Sequence, residues 1–166
     1  MFSVGEMVVY SNHGVFKVKE TTVLKITGKE TLYYVLTPLF DNNSTFYVPV
    51  EKAKELNNLH KTLTKEELKK LFKTVHKTNQ NWIENESKRK EVCQNAINSN
   101  DRETMIIAVK MFYLRQKELK LIGKHIHACD EKFFKTAEKI LSEEIAGVFG
   151  VSLKDVPQII ENFICD

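Results

Sequence analysis

The chain is poor in residues that break or staple a fold: 166 residues include only 3 Pro, 6 Gly and 3 Cys. So little Pro and Gly excludes collagen-like or linker character and leaves room for long regular elements. Cys93, Cys129 and Cys165 are odd in number, widely spaced and without a C-x-x-C pair. That argues against a disulfide framework or a zinc ribbon, and they read as reduced thiols, mostly core. The longest apolar run, Met105 to Val109, is far short of the roughly 18 to 20 residues of a membrane span. The first basic residue is Lys17, so no charged leader precedes an apolar segment. A cytosolic protein with no membrane partner is expected. The scattered glycines form neither G-x-x-x-x-G-K-S/T nor G-x-G-x-x-G, which argues against a phosphate-cradling enzyme.

One cluster has metal-ligand residue types, His125-Ile-His127-Ala-Cys129-Asp130. Its alternate positions at a helix start do not converge on one ion, so it reads as a loop and N-terminal cap. No elbow motif or paired nucleophile is present. No metal, no cofactor and no catalytic residue are assigned.

A net charge of +3 is small, but it is unevenly distributed. Residues 61–90 carry nine Lys and Arg against four Glu, and residues 110–124 carry five against one. Two basic stretches in a near-neutral chain fit either a solvated helix face or the footprint of a nucleic-acid binder.

The hydrophobic period changes along the chain. Up to Val50 it is short and β-branched: Met7-Val-Val-Tyr10, Val15-Phe-Lys-Val18 running on to Ile26, Leu32-Tyr-Tyr-Val-Leu36 and Thr45-Phe-Tyr-Val48. Turn signals at Asn12-His-Gly14, Thr27-Gly-Lys29 and Asp41-Asn-Asn-Ser44 separate these runs. Four or five strands in so few residues predict a small, strongly bent β-barrel of the SH3 or Tudor kind over residues 1–56, leaning on its neighbour for stability. Residues 51–63 read as a join.

Residues 57–166 predict an all-α domain of about five helices, giving a two-part α+β chain. Thr64-Lys-Glu-Glu67 is a capping box followed by Leu68, Leu71, Phe72 and Val75 at helical spacing. A second helix is predicted from Asn81 to Asn98. A third opens at Asn100-Asp-Arg-Glu103 and is apolar nearly all round, hence central. A fourth spans Asp130 to Phe149. The fifth starts at Ser152-Leu-Lys-Asp155 and buries Val156, Ile159, Ile160, Phe163 and Ile164. No heptad stripe is present, and a monomer is expected.

Trp82 is the only Trp and sits in the polar run Asn79-Gln-Asn-Trp-Ile-Glu-Asn85, between basic segments. It reads either as an anchor between helices or as a flat aromatic that stacks on a base or wedges into a minor groove while cations neutralise phosphates.

Phe2-x-Val4-Gly5-Glu-x-Val8-Val9-Tyr10-x-x-His13-Gly14, the Gly28 hairpin, Tyr33-x-Val35-Leu36, Val48-Pro49, Asn81-Trp82 and Ala137-x-x-Ile140-Leu141-x-x-Glu144 together resemble the CarD/CdnL family of bacterial transcription factors. The opening motif is shared with the polymerase-binding module of the transcription–repair coupling factor. The resemblance implies an N-terminal Tudor-like domain that docks on the RNA polymerase β subunit by β-augmentation, with Leu24, Lys25, Tyr47, Val48 and Pro49 at the contact. It further implies a helical domain on promoter DNA at the upstream edge of the bubble. There Trp82 enters the minor groove, with Asn81, Lys88, Arg89, Lys90 and Lys132 beside it, and the open complex is stabilised. Glu84 and Asn85 stand where the family has a basic pair, and Leu24 and Tyr47 where many relatives have arginines. A polymerase-binding adaptor with little direct DNA binding is the alternative.

Overall fold

The computed structural model describes residues 1–26, 28–41, 43–79 and 81–165, with backbone only at 164 and 165. The expectations for the side chains of Ile164 and Cys165, and for the turn residues Thr27 and Asn42, therefore lie outside what is described. The chain is α+β in two parts: a five-stranded antiparallel sheet, then helices.

Strands β1 (Met7–Tyr10), β2 (Gly14–Lys25), β3 (Glu30–Pro38), β4 (Phe46–Pro49) and β5 (Leu59–Lys61) pair in the order β4-β3-β2-β1-β5. The sheet is open, so the expected barrel does not close. The edge strands β4 and β5 are only 4 and 3 residues long, and helix α1 (Val50–Glu55) packs over the inner face, burying Val50 and Ala53. The stretch read as a join thus holds both a short helix and the strand that lengthens the sheet beside β1.

Period-two alternation sends neighbouring residues into different cores. Val8, Phe16, Val18, Tyr34, Leu36 and Val48 face α1. Val9 and Val15 point the other way and join the core of the helical part. Each such valine, fully buried, contributes roughly 1.5–3 kcal/mol. The small sheet therefore leans on the helices.

The helical part contains α2 (Lys65–His76), α3 (Glu86–Ser99), α4 (Arg102–Leu121), α5 (Ala128–Phe149) and α6 (Val156–Cys165). The predicted capping box forms: the Thr64 hydroxyl accepts from the Glu67 N–H and the Glu67 carboxylate accepts from the Thr64 N–H. Helix α4 buries Met105, Ile106, Val109 and Phe112 at the centre. Two starts differ from expectation. Asn85, not a residue before Trp82, caps α3 through Lys88 N–H, which leaves Trp82 in a loop. Ser152 accepts from Lys154 N–H in a turn, and α6 begins only at Val156.

Two adjacent glutamates of α5 tie the parts together. Glu143 accepts from Val15 N–H at 2.8 Å. Glu144 is fully buried, accepts from Leu63 N–H at 2.8 Å and pairs with the buried Arg102. Gly14, at φ +111, lets α5 come this close, since a Cβ there would collide with the Glu143 carboxylate.

Candidate protein and nucleic-acid interfaces

The outer face of β2, β3 and β4 collects three of the five residues expected at a protein contact. The register sets Tyr47 against Val35 and Glu20, and Pro49 against Tyr33 and Thr22, with Leu24 two pairs further along against Thr31. All of these share one face, because paired residues of antiparallel strands project to the same side. Tyr47 is 52% exposed, Leu24 and Pro49 are half-buried, and β4 forms the sheet edge. The other two residues face away. Val48 is 4% exposed and belongs to the sheet's inner core, so only its main chain is open to a partner, a correction to its expected role. Lys25 is exposed on the reverse side of the β2–β3 hairpin. Tyr33, half-buried between Thr22 and Pro49, completes the face. The alternation Thr31, Tyr33, Val35 was its signal in the sequence.

Trp82 lies in the loop between α2 and α3, half-buried. Its ring meets Phe112 edge-on at 5.6 Å between centroids. The guanidinium of Arg89 lies 4.4 Å from the ring centroid and that of Arg115 lies 5.3 Å from it, both within cation–π range. One edge anchors the loop to the helical core, and the indole also lines a cleft between α3, α4 and the α4–α5 join.

Arg89 is not a surface cation. It is 3% exposed, and its Nε and Nη2 donate to the two Asp130 carboxylate oxygens at 2.9 and 2.6 Å, while Nη1 donates to the Ile83 carbonyl at 2.6 Å. Hydrogen bonding to Asp130 holds its pKa above the usual guanidinium value. A guanidinium spent in this way has no fork left for a phosphate, so the expected DNA contact is corrected to a support for the Trp82 loop. Lys110 is also internal: its ammonium donates to the carbonyls of Val75, His76 and Thr78 at 3.0, 3.2 and 3.1 Å, capping the end of α2. Part of each basic stretch is therefore structural.

Asn81, Lys88, Lys90 and Lys132 are exposed. Lys88 and Lys90 flank the buried Arg89 on α3, and Lys132 lies two residues beyond its partner Asp130 on α5. The Arg89–Asp130 pair joins α3 to the start of α5, but Lys88, Lys90 and Lys132 do not line the Trp82 cleft. His127 occupies the N-cap position of α5, but its side chain makes no capping hydrogen bond. Among the described residues, no His, Cys, Asp and Glu side chains gather as a metal-ligand set, and no helix is long and apolar enough to cross a membrane.

Residues 2–61 match the family model of the CarD-like/TRCF RID domain. The N-terminal unit is a CarD-like/TRCF RID domain. The matched segment takes in all five strands and α1, and so includes β5. A RID domain is a protein-interaction module rather than a catalytic one, and its presence supports an RNA polymerase-interacting, transcription-related protein, consistent with a CarD-like family member. No curated protein matches the chain.

Proposed function

We propose that this chain is a non-enzymatic transcription regulator whose RID domain docks on the RNA polymerase β subunit and whose helical part lies on promoter DNA at the upstream edge of the bubble, stabilising the open complex. The observation that carries the reading is the RID match on a sheet whose edge strand β4 and adjoining face remain accessible, with Leu24, Tyr33, Tyr47 and Pro49 aligned across three strands. Main-chain pairing along β4 supplies a general geometry, and the apolar and aromatic side chains on the outer face supply the choice of partner. Lys25, at the hairpin end, adds a charge nearby.

At the other end Trp82 acts as the wedge, Asn81 stands beside it, and Lys88, Lys90 and Lys132 neutralise phosphates without reading sequence. The factor shifts the promoter equilibrium only by the difference between its affinities for the open and closed forms. It acts as a cytoplasmic monomer, and its two parts divide after β5, near residue 62 rather than 56, because that strand completes the sheet.

A second reading, a polymerase-binding adaptor with little direct DNA binding, is favoured by Glu84 and Glu86 beside Trp82 and by the internal role of Arg89. The deciding experiment is retention of purified RNA polymerase, and of its isolated β lobe, on the immobilised chain. Replacing Leu24 and Tyr47 together is expected to abolish retention. Retention that survives this change would remove the outer sheet face from the contact, and a wild-type chain that retains no polymerase would overturn the function itself.

A further inference from the structure

The cleft lined by Trp82 has walls of opposite sign. Glu84 and Glu86 come from the Trp82 loop and α3, whereas Arg115 comes from α4 and Lys124 from the α4–α5 join. Lys124 and His125 also line a second cleft of about 330 Å³, which continues along the C-terminal half of α4 to Lys120. The other charged groups there are engaged. Lys117 bonds to Glu161 at 3.1 Å, Glu131 pairs with Lys135 at 2.7 Å, and Arg115 pairs with Glu118 at 3.0 Å. Lys120 and Lys124 are exposed and have no carboxylate partner among the described residues. Backbone geometry holds the two together. Gly123 takes φ +67, its N–H donates to the Lys120 carbonyl, and the Lys124 N–H donates back to the Leu119 carbonyl at 2.8 Å. That closed turn fixes Lys124 against the end of α4.

We propose that Lys120 and Lys124 form a phosphate clamp that holds a backbone phosphate of the DNA meeting Trp82. The inference rests on the DNA-binding reading above and adds a second point of contact, so that the duplex is gripped on α4 and the α4–α5 join as well as beside α3. Glu84 and Glu86 repel phosphates on their side of the indole, and on the other side Lys124 of the join lines the same cleft, with Lys120 of α4 in the cleft that adjoins it. Contacts of this kind give affinity and register without sequence choice.

The test measures binding of the full chain to a synthetic duplex carrying an unpaired bubble, over a series of salt concentrations. The Lys120→Gln/Lys124→Gln variant is compared with wild type and with a charge-matched control, Lys52→Gln/Lys54→Gln on α1. Thermal melting confirms that each variant is folded. Loss of the clamp is expected to lower the slope of log affinity against log salt by about 0.9, the amount for one phosphate released, with the control unchanged. A slope equal to the control's, in a protein whose binding is still abolished by Trp82→Ala, overturns the clamp and leaves the DNA-binding reading standing. No binding by wild type at low salt overturns both.

Discussion

The carboxylate of Glu143 on α5 accepts a hydrogen bond from the backbone N–H of Val15 on β2 at 2.8 Å, beside a glycine that leaves it just enough room. This contact and that of Glu144 with Leu63 N–H set the orientation of the RID domain on the helices. If the chain works as proposed, with one part on polymerase and the other on DNA, that orientation has to be fixed.

Gly14→Ala is therefore expected to destabilise the protein by about 1–3 kcal/mol, because alanine is strained at φ +111 and its methyl displaces the Glu143 carboxylate. Urea unfolding followed by far-UV circular dichroism reads the loss directly. A midpoint equal to wild type would mean that α5 does not press on β2 in solution.

Glu144→Ala should cost more, about 3–5 kcal/mol, since it leaves the Arg102 guanidinium buried without its counter-ion and Leu63 N–H without an acceptor. The same unfolding measurement applies. Arg102→Met with Glu144→Leu is expected to recover much of the loss, whereas a pair that unfolds as readily as the single variant would show that the ionic form itself is required.

Burial raises the pKa of Glu138, opposed by the nearby Lys135, above the ordinary carboxyl value of 4.5. Between 4.5 and that raised value the folded state holds more protons than the unfolded chain, so this group's contribution to stability is fully present at lower pH and is lost as pH rises. Glu138→Gln, which mimics the protonated form, should match wild type in acid and exceed it in stability above the window. Paired melts across pH test this, and a constant difference between the two proteins would contradict it.

Cys93 is 4% exposed, and burial pushes its thiol pKa up to about 11. Thiolate is the reacting species, so iodoacetamide should modify Cys129 well before Cys93 in the folded protein. Peptide mass spectrometry with and without denaturant distinguishes them. Equal labelling of the two under native conditions would show that α3 opens readily.

Local chemistry made some of this legible from the sequence and distance hid the rest. The capping box at Thr64 to Glu67 and the long apolar face of α5 are written within a few residues, and both form as read. Strand β5 is three residues, Leu59–Lys61, with no signature of its own, and it exists because β1 offers it an edge. Arg89 sits between two exposed lysines and reads as surface, but its fate is decided by Asp130, 41 residues away. The start of α3 near Trp82 differs from its expected position for a similar reason. Asn85 is both a plausible helix residue and a better cap, and the Trp82 ring is drawn off the helix by Phe112 and Arg89.

Trp82 anchors its loop and is proposed as a DNA wedge, and substitution can separate the two. Trp82→Ala removes the edge-on contact with Phe112 and both guanidinium contacts, so a stability loss of about 2–4 kcal/mol is expected, below or near that of a fully buried aromatic. Trp82→Phe keeps much of the packing against Phe112 and should cost less than about 1.5 kcal/mol, while its smaller ring reaches less far into the cleft. If the indole is a DNA wedge, both variants shorten the lifetime of the open promoter complex while polymerase retention is unchanged, and the phenylalanine variant does so in a fully folded protein. If the indole only anchors the loop, the phenylalanine variant behaves as wild type on promoters and the effect of alanine follows the melting temperature alone. The phenylalanine variant thus carries the decision, because only there do activity and stability part company.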